Sequence, residues 1–365
     1  MKTVCVKDMC AGCGACVESC SQRAICLKED IQAYNAVIDE DKCIACGRCQ
    51  KICPKNHPAE FRTPIEWYQG WSLDEDIRAN SSSGGFASAI AKAFIEDDGV
   101  VCTCKFSKGG FGFQFIYNTK DLMTTAGSKY VKSSPKGCYR EVLSKLKSGH
   151  KVLFIGLPCQ VSAVLNYVRG NWEENLYTID LICHGTPSAQ LLDMYVQQKG
   201  VDIRGATKVS FRNKTNYGLQ VDHSSVEDYC QDNYTTAFLS SISYTENCYC
   251  CDYAQRKRVS DITLGDSWDS DLPSEEAKKG ISLALCQTPK GKILLEKADL
   301  CLHPVDIQRA IVANHQLMHP SEKPPKRDFF IRKIEDGKSF DQIMFMIEPR
   351  RELKKIAKRI LKRKY

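Results

Sequence analysis

Among the 21 cysteines of the chain, two runs share one spacing. The first is Cys10, Cys13, Cys16 and Cys20; the second is Cys43, Cys46, Cys49 and Cys53, closed by Pro54. Three thiolates set two residues apart on a tight loop can occupy three corners of an iron-sulfur cubane, so the fourth must come from elsewhere. Where two such runs share a unit, the fourth cysteine of each ligates the other cluster. One 4Fe-4S cluster is therefore expected on Cys10, Cys13, Cys16 and Cys53, and a second on Cys43, Cys46, Cys49 and Cys20. The two clusters are then neighbours. Gly12, Gly14 and Gly47 suit a backbone that wraps a cluster closely. Structural zinc usually needs one set of four ligands at two paired spacings, and a disulfide framework belongs to secreted chains, so neither explains two matching runs. Ser21 stands where a proline usually follows such a run, which loosens the turn and removes no ligand.

The rest of the chain must position this chemistry. At 365 residues with 43% hydrophobic content, it has room for a small cluster domain and one or two larger soluble units. The segment MKTVCVKDMC has no apolar stretch of a signal peptide, and no run of eighteen or more apolar residues occurs, so a reducing cytoplasm is the expected location. The net charge of +7 is concentrated in residues 350–364, which hold nine Lys or Arg and one Glu, leaving the body close to neutral. The overall charge is thus no argument for nucleic acid as a partner.

After Pro54, a proline-rich polar stretch reads as a linker. Residues 65–72 read as a strand, 74–80 as a short helix, 81–85 as a serine-glycine loop, 86–96 as a helix and 99–106 as a strand. Helix 138–147, strand 151–155, helix 160–168 and strand 176–182 follow, then a helix capped by Ser188 that runs to 198. Strands alternating with helices imply a mostly parallel sheet with functional loops at the strand C-termini, the edge where Cys159 and Cys183 fall. From 209 the texture changes to a hairpin, a cysteine-bearing loop at 248–251 and a strand ending at 266, before strand 281–286 and helix 290–297. The expected organisation is a cluster domain at 1–58, α/β regions at 65–200 and 201–330 with a smaller cysteine-containing subdomain, and a basic helix at 340–365.

Several ordered phrases, SSSGGF (81–86), SKYVKS (128–133), FIGLPCQV (154–161), DLICHGTPS (180–188), FRNK (211–214) and SDITLGDSWD (260–269), together resemble the family of beta subunits of coenzyme F420 hydrogenases and dehydrogenases. That family includes 7-hydroxymethyl chlorophyll a reductases and bacterial members associated with surface polysaccharide clusters. The resemblance spans roughly residues 10–269, with a bacterial-type dicluster ferredoxin unit fused in front. It implies an iron-sulfur flavoprotein oxidoreductase that binds FAD, and it suggests a third 4Fe-4S cluster on Cys159, Cys183, Cys248 and Cys251. Two thiols at turns on one sheet edge plus a C-x2-C pair can close such a site, with Cys250 an extra thiol. Zinc and plain buried thiols are the competing readings.

In that context Ser82, Ser83, Gly84 and Gly85, ahead of a helix, form a phosphate cradle for the flavin. Ser128, Lys129, Tyr130 and Gln160 join them, with Lys129 meeting pyrophosphate or an anionic reduced ring and Tyr130 stacking on a ring. The plainer alternatives are a helix start and a strand with a solvated lysine. Asp261 and Asp266 are candidates for flavin hydroxyls, or turn caps. His184, with Lys129, is the catalytic candidate, as a proton donor to the acceptor, against a structural histidine. Arg212 and Lys214 are candidates for holding an anion.

Leu353, Ile356, Ala357, Ile360 and Leu361 follow helical spacing with basic residues opposite, a pattern suited to an anionic membrane surface, an acidic partner or a solvated helix. The leading expectation is a cytoplasmic flavin- and iron-sulfur-dependent reductase working with an electron-donor or electron-acceptor protein. The alternatives are a non-catalytic electron-transfer subunit of a larger complex and a membrane-peripheral redox protein of a polysaccharide pathway.

Overall fold

The computed structural model describes residues 1–170, 172–214, 216–227 and 230–362. Its strands in chain order are β1 (Ile25–Glu29), β2 (Tyr34–Ile38), β3 (Glu66–Ser72), β4 (Val100–Ser107), β5 (Gly110–Ile116), β6 (Val152–Gly156), β7 (Leu176–Leu181), β8 (Val209–Arg212), β9 (Tyr217–Val221), β10 (Ser224–Ser225), β11 (Ile262–Asp266), β12 (Ser282–Cys286) and β13 (Leu300–Pro304). In the N-terminal unit, β1 and β2 form an antiparallel hairpin between two short helices, Ala15–Ser19 and Arg48–Ile52, which pack on each other. Each helix grows out of one cysteine run. Its cap is a glycine in the left-handed region, Gly14 at φ 75° and Gly47 at φ 70°.

The main sheet has eight strands in the order β13-β3-β12-β11-β7-β6-β4-β5. β4, β6, β7 and β11 run parallel, whereas β5, β12 and β13 are antiparallel to their neighbours. The sheet is mostly parallel, as expected: β3 points the same way as β4, β6, β7 and β11, and β5, β12 and β13 are reversed. The connections explain this. Helices Cys138–Lys147 and Pro158–Val168 are crossovers, but β4 and β5 are joined through Lys108 and Gly109, both at positive φ, a two-residue hairpin turn that reverses the chain. β11, β12 and β13 also continue the sheet built by residues 65–200, so the two expected α/β regions share one sheet.

Alternation along the central strands supplies two cores. Val101, Leu153, Ile155 and Ile179 pack on Phe86, Ile90 and Phe94 of helix Phe86–Glu96. Cys102, Val152 and Phe154 face the other way, onto Tyr139, Val142, Val161 and Val164, and the N-terminal unit continues that second core. Tyr139 Oη donates to Cys13 O (2.9 Å), Tyr253 Oη to Pro54 O (2.8 Å) and Asn166 Nδ2 to His57 O (2.7 Å). The stretch after Pro54 is pinned too, contrary to a free linker: Ala59 N donates to Ser162 Oγ, and Arg62 and Arg258 exchange backbone hydrogen bonds.

Candidate electron-transfer site

Cys10, Cys13, Cys16 and Cys53 line one small cavity in the N-terminal unit, so the fourth cysteine of the second run meets the first three of the first. Cys5, which carried no expected role, lines the same cavity. Its thiol lies within hydrogen-bonding reach of Cys10 and Cys53, a contact that lowers the first to about 7 and the second to about 6 against the opposing effect of burial. Burial pushes Cys13 and Cys16 up. In the second run, burial and then the neighbouring Cys43 and Cys46 raise Cys49. Cys20 ends the helix that packs against the one carrying Cys49, and Cys46 is exposed. The described His, Cys, Asp and Glu side chains contain no group of three or more closed around a point as ligands of a single ion would be. A four-iron cubane is gripped at its corners and takes a wider set of thiols.

A second cavity collects Cys159, Cys183, Cys248 and Cys251, together with the exposed Cys250. Cys159 sits in the first turn of helix Pro158–Val168, after β6; Cys183 follows β7; Cys248 lies in the short helix Glu246–Tyr249, with Cys251 just beyond it. Burial pushes Cys159 up to about 12 and Cys251 to about 11, and Cys183 rises through burial and then through the other three thiols. The Thr245 hydroxyl lies 3.5 Å from Cys248 Sγ. The cysteine loop is anchored by Arg258, 2% exposed, whose Nη2 donates to Asp180 Oδ1 (3.0 Å) and Leu181 O and whose Nη1 donates to Tyr253 O (2.7 Å). Ala11, Pro54 and Lys55 line both this cavity and the N-terminal one, forming a shared wall.

A cleft of about 260 Å³ opens at the carboxyl ends of β4, β6, β7 and β11. Ser82, Ser83, Gly85, Ser128, Lys129 and Gln160 line it, as do Thr103, Cys104, Ser133, Leu157 and Asp266. Helix Phe86–Glu96 begins there, and Gly85 gives its first amides no side-chain cap, the arrangement that receives an anion. Ser82 Oγ accepts from Ser128 N (2.8 Å), which joins two of the expected phrases. Lys129 donates to Thr125 O, and burial lowers its pKa while Cys104 opposes. Leu157 and Gln160 line both this cleft and the four-cysteine cavity. Gln160 is held as a wall, donating to Ser133 Oγ (3.0 Å) and accepting from Leu157 N (2.9 Å).

Other expected residues lie elsewhere. Tyr130 turns from the cleft and stacks on Phe238 at 4.0 Å, so it is not a ring partner there. Gly84 packs on backbone: a Cβ would come within 2.3 Å of Gly70 O and 2.6 Å of Ser282 N. Asp261 binds Thr178 N, Thr178 Oγ1 and Thr288 Oγ1 and is structural. Arg212 is occupied by a two-point pair with Asp266 (2.8 and 3.0 Å), so the carboxylate that Asp266 brings to the cleft lining is already engaged. Lys214 donates to Ser83 O at the serine loop, and burial lowers it to about 8. His184 lines the four-cysteine cavity instead of the cleft. Gln316 lies 2.9 Å from its Nδ1, and burial and then His315 lower its pKa to about 4. It is not placed to deliver a proton across Gln160 and Leu157.

A model of the coenzyme F420 hydrogenase/dehydrogenase beta subunit N-terminus matches residues 67–136, and one of the C terminus of the same subunit matches residues 149–303. The chain belongs to the family of coenzyme F420 hydrogenase/dehydrogenase beta subunits. A 4Fe-4S dicluster domain model matches residues 9–57, in front of these two. One subunit of the F420H2 dehydrogenase from Methanosarcina mazei is 24% identical over 284 residues, covering 72% of this chain and 78% of the relative. Among solved structures, a chain of the F420-reducing NiFe hydrogenase complex from Methanosarcina barkeri aligns with a TM-score of 0.50 at 17% identity. It covers 70% of this chain and 89% of that one, a likeness of fold. Membership in this family places the chain among oxidoreductase subunits carrying iron-sulfur centres.

Proposed function

We propose that the chain is an iron-sulfur flavoprotein subunit of an oxidoreductase complex, carrying electrons between a partner protein and an organic acceptor. In this reading two 4Fe-4S clusters occupy the N-terminal quartets, a third is held by Cys159, Cys183, Cys248 and Cys251, and FAD lies in the cleft. One observation carries it: three cavities stand in series, the first two sharing Ala11, Pro54 and Lys55 and the last two sharing Leu157 and Gln160.

The donor sets fit these groups. Four thiols gathered at one site have their charges compensated when they bind a cluster. The uncapped amides of helix Phe86–Glu96 and the Ser82 hydroxyl suit a pyrophosphate, while the Ser83 hydroxyl is spent on Ile281 O (2.7 Å). FAD, when bound, supplies the exchange between one-electron and hydride chemistry. Lys129 places a positive charge in the cleft, where negative charge on a reduced ring would need one. Leu157 and Gln160 exclude water between thiols and cleft.

The relatives named above belong to F420-linked systems, which makes a deazaflavin one candidate acceptor. Anaerobic purification with iron, sulfide and flavin assays tests the reading: about twelve iron, twelve sulfide and one flavin per chain are expected. Two clusters and no flavin would refute it. Cys159→Ser should remove about a third of the iron and leave the N-terminal clusters. We also infer that helix Pro349–Lys362 rests on an anionic membrane surface. Leu353, Ile356 and Ile360 are 56%, 45% and 54% exposed, while Glu352 and Lys355 face the body.

A further inference from the structure

Lys132 lies at the joint between two of the cavities. It is 7% exposed, lines the four-cysteine cavity, and reaches back into the loop of the first cysteine run, where its Nζ donates to Ala11 O at 3.2 Å. Asn247 Oδ1 stands 3.5 Å away, beside Cys248, and the ammonium lies 5.1 Å from the centre of the Tyr34 ring. Its stem presses on Gly12, between Cys10 and Cys13: a Cβ on Gly12 would come within 3.1 Å of Lys132 Cδ. The second run has Ala45 at the equivalent place, in the same left-handed conformation at φ 53°. The first run alone is shaped to admit a lysine.

Among the described residues, no carboxylate pairs with Lys132 at ion-pair distance. A buried ammonium is costly without an opposite charge, and its ionisable neighbours are the thiols of Cys248 and Cys159, Tyr34 and the thiol of Cys10, with the Glu29 carboxylate beyond ion-pair distance. Those thiols belong to two different quartets. Thiolate-bound cubanes are anionic, and each gains a further negative charge on reduction.

We propose that Lys132 is a positioning residue shared by the first N-terminal cluster and the third cluster: one buried positive charge stabilises the reduced form of both and keeps their potentials close. This rests on the three-cluster reading above. No atom is transferred and Lys132 keeps its protons; an electron placed on either side of the joint meets the same ammonium.

The test is a redox titration followed by electron paramagnetic resonance on the anaerobically purified protein, with iron counted in every sample. Lys132→Met and Lys132→Gln should lower the potentials of both clusters by about tenfold or more in the one-electron equilibrium, roughly 59 mV. The cluster on Cys43, Cys46, Cys49 and Cys20 should hold its potential, and Lys132→Arg should restore the other two. Loss of both iron centres in the uncharged variants, with both kept in Lys132→Arg, would support the same role. Unchanged potentials, an equal shift of all three clusters, or loss of the centres in Lys132→Arg as well would overturn it. Wild-type protein without iron at the Cys159 quartet would instead refute the three-cluster reading, so the two failures are separable.

Discussion

At Gly12 the fit of a single residue can be tested directly. Its φ of 69° already strains any side chain, and a Cβ would also press on Lys132 and the Tyr34 ring at 3.1 Å. Gly12→Ala should cost about 1–3 kcal/mol in anaerobic denaturant unfolding and perturb the signals of the first and third clusters, which share Lys132, while sparing the cluster on Cys43, Cys46, Cys49 and Cys20. Ala45→Gly relieves the same backbone conformation where no lysine enters, and should leave both readouts unchanged or raise stability slightly. The cysteine runs were legible in the sequence because a cubane dictates local spacing. Lys132 was not, since its meaning arises where loops 120 residues apart meet. Tyr130 and Lys132 show the gap in another way. From Lys129 to Ser133 the side chains alternate: Lys129, Val131 and Ser133 line the cleft, as does Ser128, while Tyr130 and Lys132 turn away. A phrase recognised as a block hides that alternation.

Among the elements, the helices of the α/β region were readable almost to the residue. Helices 86–96 and 138–147 fall where periodicity puts them, and Ser188 accepts from Leu191 N as the cap of Ala189–Gln198. The edge strand β5 was missed because its glycine-rich sequence, GFGFQFI, blurs the pattern, and its hairpin turn decides the antiparallel edge. The loop carrying Cys248 and Cys251 depends on a long-range ion pair that no local pattern announces. Arg258→Met leaves the fully buried Asp180 carboxyl, which burial already raises, without its cation, so a loss of about 3–5 kcal/mol is expected, with the third cluster lost before the N-terminal two. Thermal unfolding and iron content check this; unaltered stability would contradict it. The C-terminal helix is held by Glu227. Burial pushes that carboxyl up, but Lys199 and Lys355 outweigh it and hold it at about 2, below the ordinary 4.5. A depressed carboxylate contributes fully above its unfolded value, and the contribution fades as pH falls from about 4.5 through about 2. Tryptic-type cleavage beyond residue 349 is awkward in acid, so pepsin at pH 2–4 is the better probe. The helix should become susceptible in that window, whereas Glu227→Gln should expose it to trypsin already at neutral pH.

Over the whole molecule, the cavities run from the N-terminal unit through the sheet edge to the cleft, and the C-terminal helix adds a surface. Helices usually turn their apolar stripe inward, and Pro349–Lys362 does the reverse. Arg351, Glu352 and Lys355 lock onto Asn233 and Glu227, and the stripe of Leu353, Ile356 and Ile360 points out, flanked by exposed Arg350, Lys354 and Lys358. The expected stripe residue Leu361 and the basic Arg359, Lys362, Arg363 and Lys364 have side chains outside the described residues. Two of the basic residues counted on in the sequence, Arg351 and Lys355, are spent on the body. No described helix is long and apolar enough to cross a membrane. Each basic residue at an anionic surface contributes about 1 kcal/mol, and inserting the apolar stripe adds to that. The protein should therefore co-sediment with vesicles containing phosphatidylserine and stay in solution with phosphatidylcholine alone. Leu353→Asp together with Ile356→Asp should weaken sedimentation at least tenfold without lowering the iron content, because neither side chain touches the body's ion pairs. Raised salt should weaken the wild type further through its lysines and arginines. Equal binding by the double variant, or binding only to an acidic protein partner, would assign this face to something other than lipid.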